Sequence, residues 1–342
     1  MGLIHPVDLA TWQGWQERQQ PWTRRLRGRL VAQRSRNRTG YAAGEGHPRL
    51  VICLDATSPT HIAALLAPLR HLDPSEVTVL SKPPPPADFI STAPSRGMTL
   101  DAMVALLRRA RVVVSTGHFL PLGALAHRIS QGTGRPFVTV QHGLLTPHTP
   151  PLASGTTLLS WSTADGDYWR SGREDVAVQV VGSQLLWEAG PSTHVTQESE
   201  TPLYLGQLHG AELPTAVMAA AASDFCRRTG ATYRPHPSET DRRSRATHAA
   251  WERAGITIDR SGAPLTQVRR PVVSVYSTGV LEAAARGLPA WVDLPDAPPW
   301  LAEFWHRNGM HRWGQDPTPA LPRPAVEPSI AVAHVLREMM DR

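Results

Sequence analysis

From Arg49 onward, short apolar runs alternate with longer runs at helical spacing, and this alternation limits the chain to parallel sheets joined by crossover helices. "RLVICLDAT" (49–57) reads as a strand, and "SPTHIAALLAPLRHL" follows as a helix with Ser58 at its N-cap and Pro59 in its first turn. "EVTVL" is the next strand. A helix at "TLDAMVALLRRA" leads to strand "RVVVST", a helix spans about 121–131, and "PFVTVQHG" is again a strand. "TTLLSW", "TADGDYWRSG" and "VAVQVVG" add a strand, a helix and a strand.

The polar stretch "GPSTHVTQESE" (190–200) reads as a linker, and the alternation then restarts. Strand "PLYLG", a helix over about 213–229, strand "ATYRPHP" and a charged helix from about 239 to 254 come first. "ITIDR", "PVVSVYS", the helix "TGVLEAAARG" ended by Gly287, and strand "LPAWVDL" complete the set. A length of 342 residues also suits two domains rather than one. The expected organisation is a basic extension (1–46), a first domain (47–190), a second domain (191–318) and a C-terminal helix (319–342). The expected fold class is α/β, two doubly wound, Rossmann-like domains facing each other across a cleft.

Hydrophobic residues make up 41% and charged residues 19%, with 11 Trp, which is a globular composition. Thirty-five Lys and Arg against 29 Asp and Glu give +6, too small an excess to point to nucleic acid. Its distribution is local. Seven arginines, Arg24, Arg25, Arg27, Arg29, Arg34, Arg36 and Arg38, crowd "RRLRGRLVAQRSRNR" without an acid. Trp22, Leu26 and Leu30 make an apolar stripe among them, so residues 15–38 are expected either on an anionic membrane surface or packed on the first domain as a solvated extension. Cys53 and Cys226 have no ligand spacing and read as core thiols. No signal-peptide core or membrane span is seen, which places the chain in the cytoplasm, peripheral at the inner face of the membrane if the basic segment binds lipid.

Ligands of open parallel sheets sit beyond the C-terminal ends of the strands, and three motifs fall there. "QHG" (141–143) follows an apolar strand, with Gly143 free to turn the chain and expose His142. "YRPHPSETD" (233–241) holds Arg234 and His236 extended between prolines, a fork and a titratable donor suited to phosphate. "YSTGVLEAAARG" opens a helix at Ser277, Thr278 and Gly279, whose unpaired N–H groups suit the same anion, and Glu282 in its first turns suits ribose hydroxyls. The plain alternatives are a loop histidine, a stiff turn and ordinary N-capping. GxxxxGK[ST], a complete GxGxxG, HExxH and GxSxG are all missing, so phosphate-loop, dinucleotide, zinc-protease and serine-hydrolase readings fail. No cluster has metal-ligand spacing, and no cofactor is expected.

These residues resemble the GT-B glycosyltransferase superfamily, over about residues 111–293. Within it the chain is similar to CDP-glycerol glycerophosphotransferases and to bacterial polysialyltransferases and capsule-type transferases. The resemblance implies that His236, Ser277 and Thr278 contact the donor's phosphate and that the histidine before glycine is His142. It departs from the pattern in having Ser-Thr instead of two serines and in lacking the acidic pair with glycine that carries the base in polysialyltransferases. The implied activity is metal-independent transfer of a sugar, or an alditol phosphate, from a nucleotide-activated donor to a glycan or lipid-linked acceptor. His142 is the first choice of general base, with His118 in "STGHF" and Asp55 in "CLDAT" behind it. A nucleotide-sugar epimerase of the same fold, or a noncatalytic nucleotide-binding protein, would carry the same phosphate site.

Overall fold

The computed structural model describes residues 2–19, 40–44, 48–82, 96–190 and 195–342. The basic run 24–38 lies outside the described residues, and with it the expectation of a lipid-facing stripe. Among the described residues, no helix is long and apolar enough to cross a membrane. The chain divides into two units, one of residues Gly2–Leu185 with Pro324–Arg342 and one of Leu186–Arg323.

The first unit contains β1 (Gly40–Ala43), β2 (Leu50–Leu54), β3 (Val77–Ser81), β4 (Arg96–Met98), β5 (Val112–Ser115), β6 (Phe137–Val140), β7 (Thr157–Ser160) and β8 (Ala177–Val180), in the order β4-β1-β3-β2-β5-β6-β7-β8. From β3 to β8 the pairings are parallel, while β1 runs antiparallel to both β3 and β4. This antiparallel edge draws on residues 40–43, which the sequence reading assigns to the extension.

Its helices are α1 (Leu9–Gln19), α2 (Pro59–Leu65), α3 (Leu100–Arg109), α4 (Pro121–Thr133), α5 (Thr163–Arg170), α6 (Gln184–Ala189), which runs into the second unit, and the final helix (Pro328–Asp341). Every residue of β2 is buried, because successive side chains point to opposite faces and both faces are covered. Leu50, Ile52 and Leu54 pack with Leu65 of α2 and with Val332, Leu336 and Met340 of the final helix. Val51 and Cys53 pack with Met103 and Leu107 of α3 and with Leu122 and Ala126 of α4. The C-terminal helix thus completes one face of the first unit's core. Helix α1 docks on the same unit: Trp12 meets Phe119 edge-on and donates its indole N–H to the His148 carbonyl at 2.7 Å.

The second unit has a wholly parallel sheet of β9 (Leu203–Leu205), β10 (Thr232–Arg234), β11 (Val272–Ser274) and β12 (Ala290–Val292), in the order β10-β9-β11-β12. Its helices are α7 (Thr215–Thr229), α8 (Arg242–Arg253), α9 (Thr278–Ala285) and α10 (Pro299–Arg307), so the final helix is α11. "ITIDR" is a single bridge from Ile258 to Tyr233 rather than a strand. Helix α8 starts at Arg242, where Asp241 caps the N–H groups of Arg243 and Ser244, instead of near residue 239. Glu239, a polar residue ahead of that cap, is buried with 4% of its surface exposed.

Candidate active site

In the second unit the loop after β9 binds the other strand ends together. Glu239 Oε1 accepts the Leu208 N–H at 3.0 Å, and its Oε2 accepts the Tyr233 hydroxyl at 2.9 Å and pairs with His248 Nε2 at 2.9 Å. Burial pushes this carboxyl up, yet the bonds from His248 and Tyr233 outweigh it and hold the pKa below the usual value. Gly206 is required beside it, since a Cβ there would lie 2.2 Å from the Tyr233 hydroxyl and 2.8 Å from Glu239 Oε1. On the other side, Gln207 Oε1 accepts from Ser274 Oγ and from the Tyr276 N–H, both at 2.9 Å. Tyr276 also donates its hydroxyl to Glu212 at 3.1 Å.

The strands ending at "RPHP" and at Ser277 are not adjacent: β9 lies between them. Their loops are joined through Gln207, Leu208 and His209. The His209 ring stacks on His236, centroids 3.7 Å apart and 16° from parallel. Backbone N–H of Ser238 donates to His236 Nδ1 at 3.1 Å, so the proton of the neutral ring sits on Nε2. Burial lowers the pKa of His236, and the Glu239 charge opposes the shift.

Ser277 caps α9 as the plain reading has it, accepting the Gly279 N–H at 3.1 Å, and Thr278 is the first helical residue. Gly279 is buried where a Cβ would lie 2.4 Å from Leu205. Arg234 donates to the Ala263 carbonyl and lies 3.7 Å from Asp259, which ties its guanidinium to the 259–263 loop. Glu282 faces Leu265, Val268 and Val272 across a cavity of about 10 Å³, and burial lifts its carboxyl to about 7.

In the first unit Asp55, His118 and His142 follow the adjacent strands β2, β5 and β6, but their side chains go different ways. Asp55 accepts the N–H groups of Leu122 and Gly123 at 2.9 and 3.0 Å, capping α4. His118 meets His127 of α4, ring centroids 5.1 Å apart, and burial, with His127 and Arg173 adding to it, lowers its pKa to about 4. His142 lies instead against His61 of α2, centroids 4.3 Å apart, on the opposite face of the sheet. The "QHG" turn does not expose it. Gly143 has no left-handed backbone, and Gln141 holds the turn by donating to the Gly143 carbonyl at 3.0 Å and accepting the Trp161 N–H at 2.8 Å. His142 is half-buried at residue level with Nδ1 fully enclosed, and burial, then His61, lowers its pKa to about 3.

Gln207, His209, Glu239 and His61 are absent from the sequence-based candidates. "GQLHG" directly after a strand, and a glutamate three residues after His236, were the available signals. Among the described residues no group of three His, Cys, Asp or Glu is arranged to hold a metal.

No protein-family model and no curated protein matches the chain. Among solved structures it is similar to the UDP-GlcNAc 2-epimerase of Methanocaldococcus jannaschii in complex with UDP-GlcNAc and UDP, at 12% identity and TM-score 0.50, over 86% of this chain and 93% of that one. Another structure of that epimerase matches at 14% identity and TM-score 0.48, over 84% and 99%. A mutant of the O-GlcNAc transferase of Thermobaculum terrenum matches at 13% and TM-score 0.43, over 87% and 63%. With two doubly wound α/β units and the likeness at TM-score 0.50, the chain has the GT-B fold.

Proposed function

We propose that the chain is a metal-independent glycosyltransferase that moves a sugar, or an alditol phosphate, from a nucleotide-activated donor to a cell-surface glycan or lipid-linked acceptor. The observation that carries the reading is His236. With Nδ1 taken by the Ser238 N–H, its Nε2–H is the group left to meet an anion, at the C-terminal edge of a parallel sheet. The start of α9 adds the backbone N–H groups of Ser277 and Thr278, with Gly279 holding the cap that aims them, Arg234 adds a fixed positive charge, and Glu282 is assigned to the ribose. Together they take up leaving-group charge without a metal. A nucleotide diphosphate donor agrees with UDP and UDP-GlcNAc in the epimerase complex that the fold resembles.

His142 is assigned as the general base, ahead of His118, which faces α4, and Asp55, whose oxygens cap that helix. The motifs "QHG", "RPHP" and "STG" favour the alditol-phosphate and polysialic acid branch named above. Titration calorimetry tests the donor site. His236→Ala should weaken a nucleotide diphosphate or monophosphate by about 1.5 to 3 kcal/mol and leave the nucleoside nearly unaffected. Equal weakening of both would reduce "RPHP" to a stiff turn. Release of an epimer in the absence of any acceptor would replace the transferase reading with the epimerase one.

A further inference from the structure

His61 Nε2 and His142 Nδ1 are both buried without a hydrogen-bond partner, on rings whose centroids are 4.3 Å apart and tilted by 43°. Buried polar atoms are nearly always paired, so an orphan on each of two touching rings needs an explanation. Ser58 shows how His61 is oriented. It stands at the N-cap of α2, yet its hydroxyl makes no capping bond and lies 2.7 Å from His61 Nδ1 and 2.9 Å from Thr60 Oγ1. When His61 donates from Nδ1 to that hydroxyl, its Nε2 carries a lone pair, which is what a neighbouring ring N–H requires.

We propose that His61 is a positioning residue for His142: its Nε2 accepts the Nδ1–H of His142, which leaves the His142 Nε2 lone pair for the acceptor hydroxyl. The catalytic part of this inference rests on the transferase reading. The pair requires the His142 ring to turn about χ2, a broad torsion in histidine, while His61 keeps its bond to Ser58. During transfer the acceptor oxygen bonds to the transferred group, and the bond to the leaving phosphate oxygen breaks with its electron pair staying on phosphate. The hydroxyl proton passes to His142 Nε2. The resulting imidazolium shares its Nδ1–H with His61, itself anchored on Ser58. A ring in so buried a place needs such a partner to take a proton at all.

Among the described residues lining the cavity beside His142, none other is charged or titratable. Thr60 of α2, Gln141 and Trp161 at the ends of β6 and β7, and Gln184 and Ser329 of α6 and α11 line the cavity beside His142. Behind them Glu327 bonds to Gln184 and Ser329, and His71 bonds to Ser329.

Imidazole nitrogen NMR on the full chain tests the pair without any need for turnover. Wild type should show His142 protonated at Nδ1 and unprotonated at Nε2. His61→Phe keeps the ring but removes the acceptor, and should turn His142 into a mixture of tautomers with a lower titration midpoint. His61→Gln, whose amide oxygen can accept, should restore the wild-type spectrum. In transfer assays His61→Phe should lower kcat about 10-fold or more with the donor KM within about two-fold, and His61→Gln should recover most of the rate. A His142 tautomer unaltered by His61→Phe overturns the proposal. If no donor supports turnover, the transferase reading fails while the spectra still decide the pairing. Should His61→Phe fail to fold, Ser58→Ala takes its place, and an unchanged His142 spectrum there overturns the proposal equally.

Discussion

The two units present the same topological place, the C-terminal edge of a parallel sheet, and furnish it in contrary ways. In the second unit carboxylate and amide side chains, Glu239 and Gln207, reach backbone N–H groups of two loops, at Leu208 and Tyr276, and hydroxyls of β10 and β11, so three strand ends become one assembly. In the first unit the edge is lined with imidazoles, His118 and His142, each held against another histidine and each with an orphaned Nδ1. A mesh of satisfied hydrogen bonds preorganises a binding surface, whereas enclosed neutral rings keep lone pairs available. The contrast matches the division of labour proposed above, with phosphate held by one edge and a proton taken by the other.

The comparison breaks most readily at Glu239. Glu239→Ala leaves the Tyr233 hydroxyl, His248 and the Leu208 N–H without a buried partner, and should cost roughly 3 to 5 kcal/mol in urea unfolding. A loss below about 1 kcal/mol would mean that the second edge is held by packing instead. Next in size, His142→Ala should lower kcat about 100-fold, near 2.7 kcal/mol of barrier, with little change in the nucleotide dissociation constant. Equal losses in rate and affinity would move His142 to the binding surface and erase the division.

The smallest effect sharpens the contrast through pH. His118 and His142 are lowered from 6.5 to about 4 and about 3, so the unfolded chain binds these protons first. Their contribution is complete above pH 6.5 and is lost as pH falls toward 3. Glu282 is raised from 4.5 to about 7, so its contribution is present below pH 4.5 and is lost as pH rises through 7. Calorimetry should then find Glu282→Gln gaining about 2 °C at pH 8 and nothing below pH 4.5, with His118→Gln showing its gain only on the acid side. A gain for Glu282→Gln that is the same at both pH values would show that the carboxyl is not titrating in the folded chain.

Much of the fold was legible because its signals are local. The apolar run at Leu50–Leu54, the cap and first turn at Ser58 and Pro59, and the "RPHP" and "STG" strand ends all lie within a few residues of the structure they specify. The site was legible only as far as its backbone. That Arg234 ties to Asp259, that Asp55 caps α4, and that His142 lies against His61 are facts about partners remote in sequence.

By itself the sequence determined the alternation of strand and helix, the restart after residue 200, and which residue types stand at the strand ends, because side-chain period and turn chemistry act over one or two turns of chain. Only the tertiary structure decided that residues 40–43 and 96–98 form an antiparallel edge and that β9 separates β10 from β11. It alone also placed α11 in the first unit's core, Glu239 under three donors and His61 on His142. Each of these depends on burial against a segment far along the chain, where the cost of an unpaired polar group or an uncovered apolar face is settled by the whole fold.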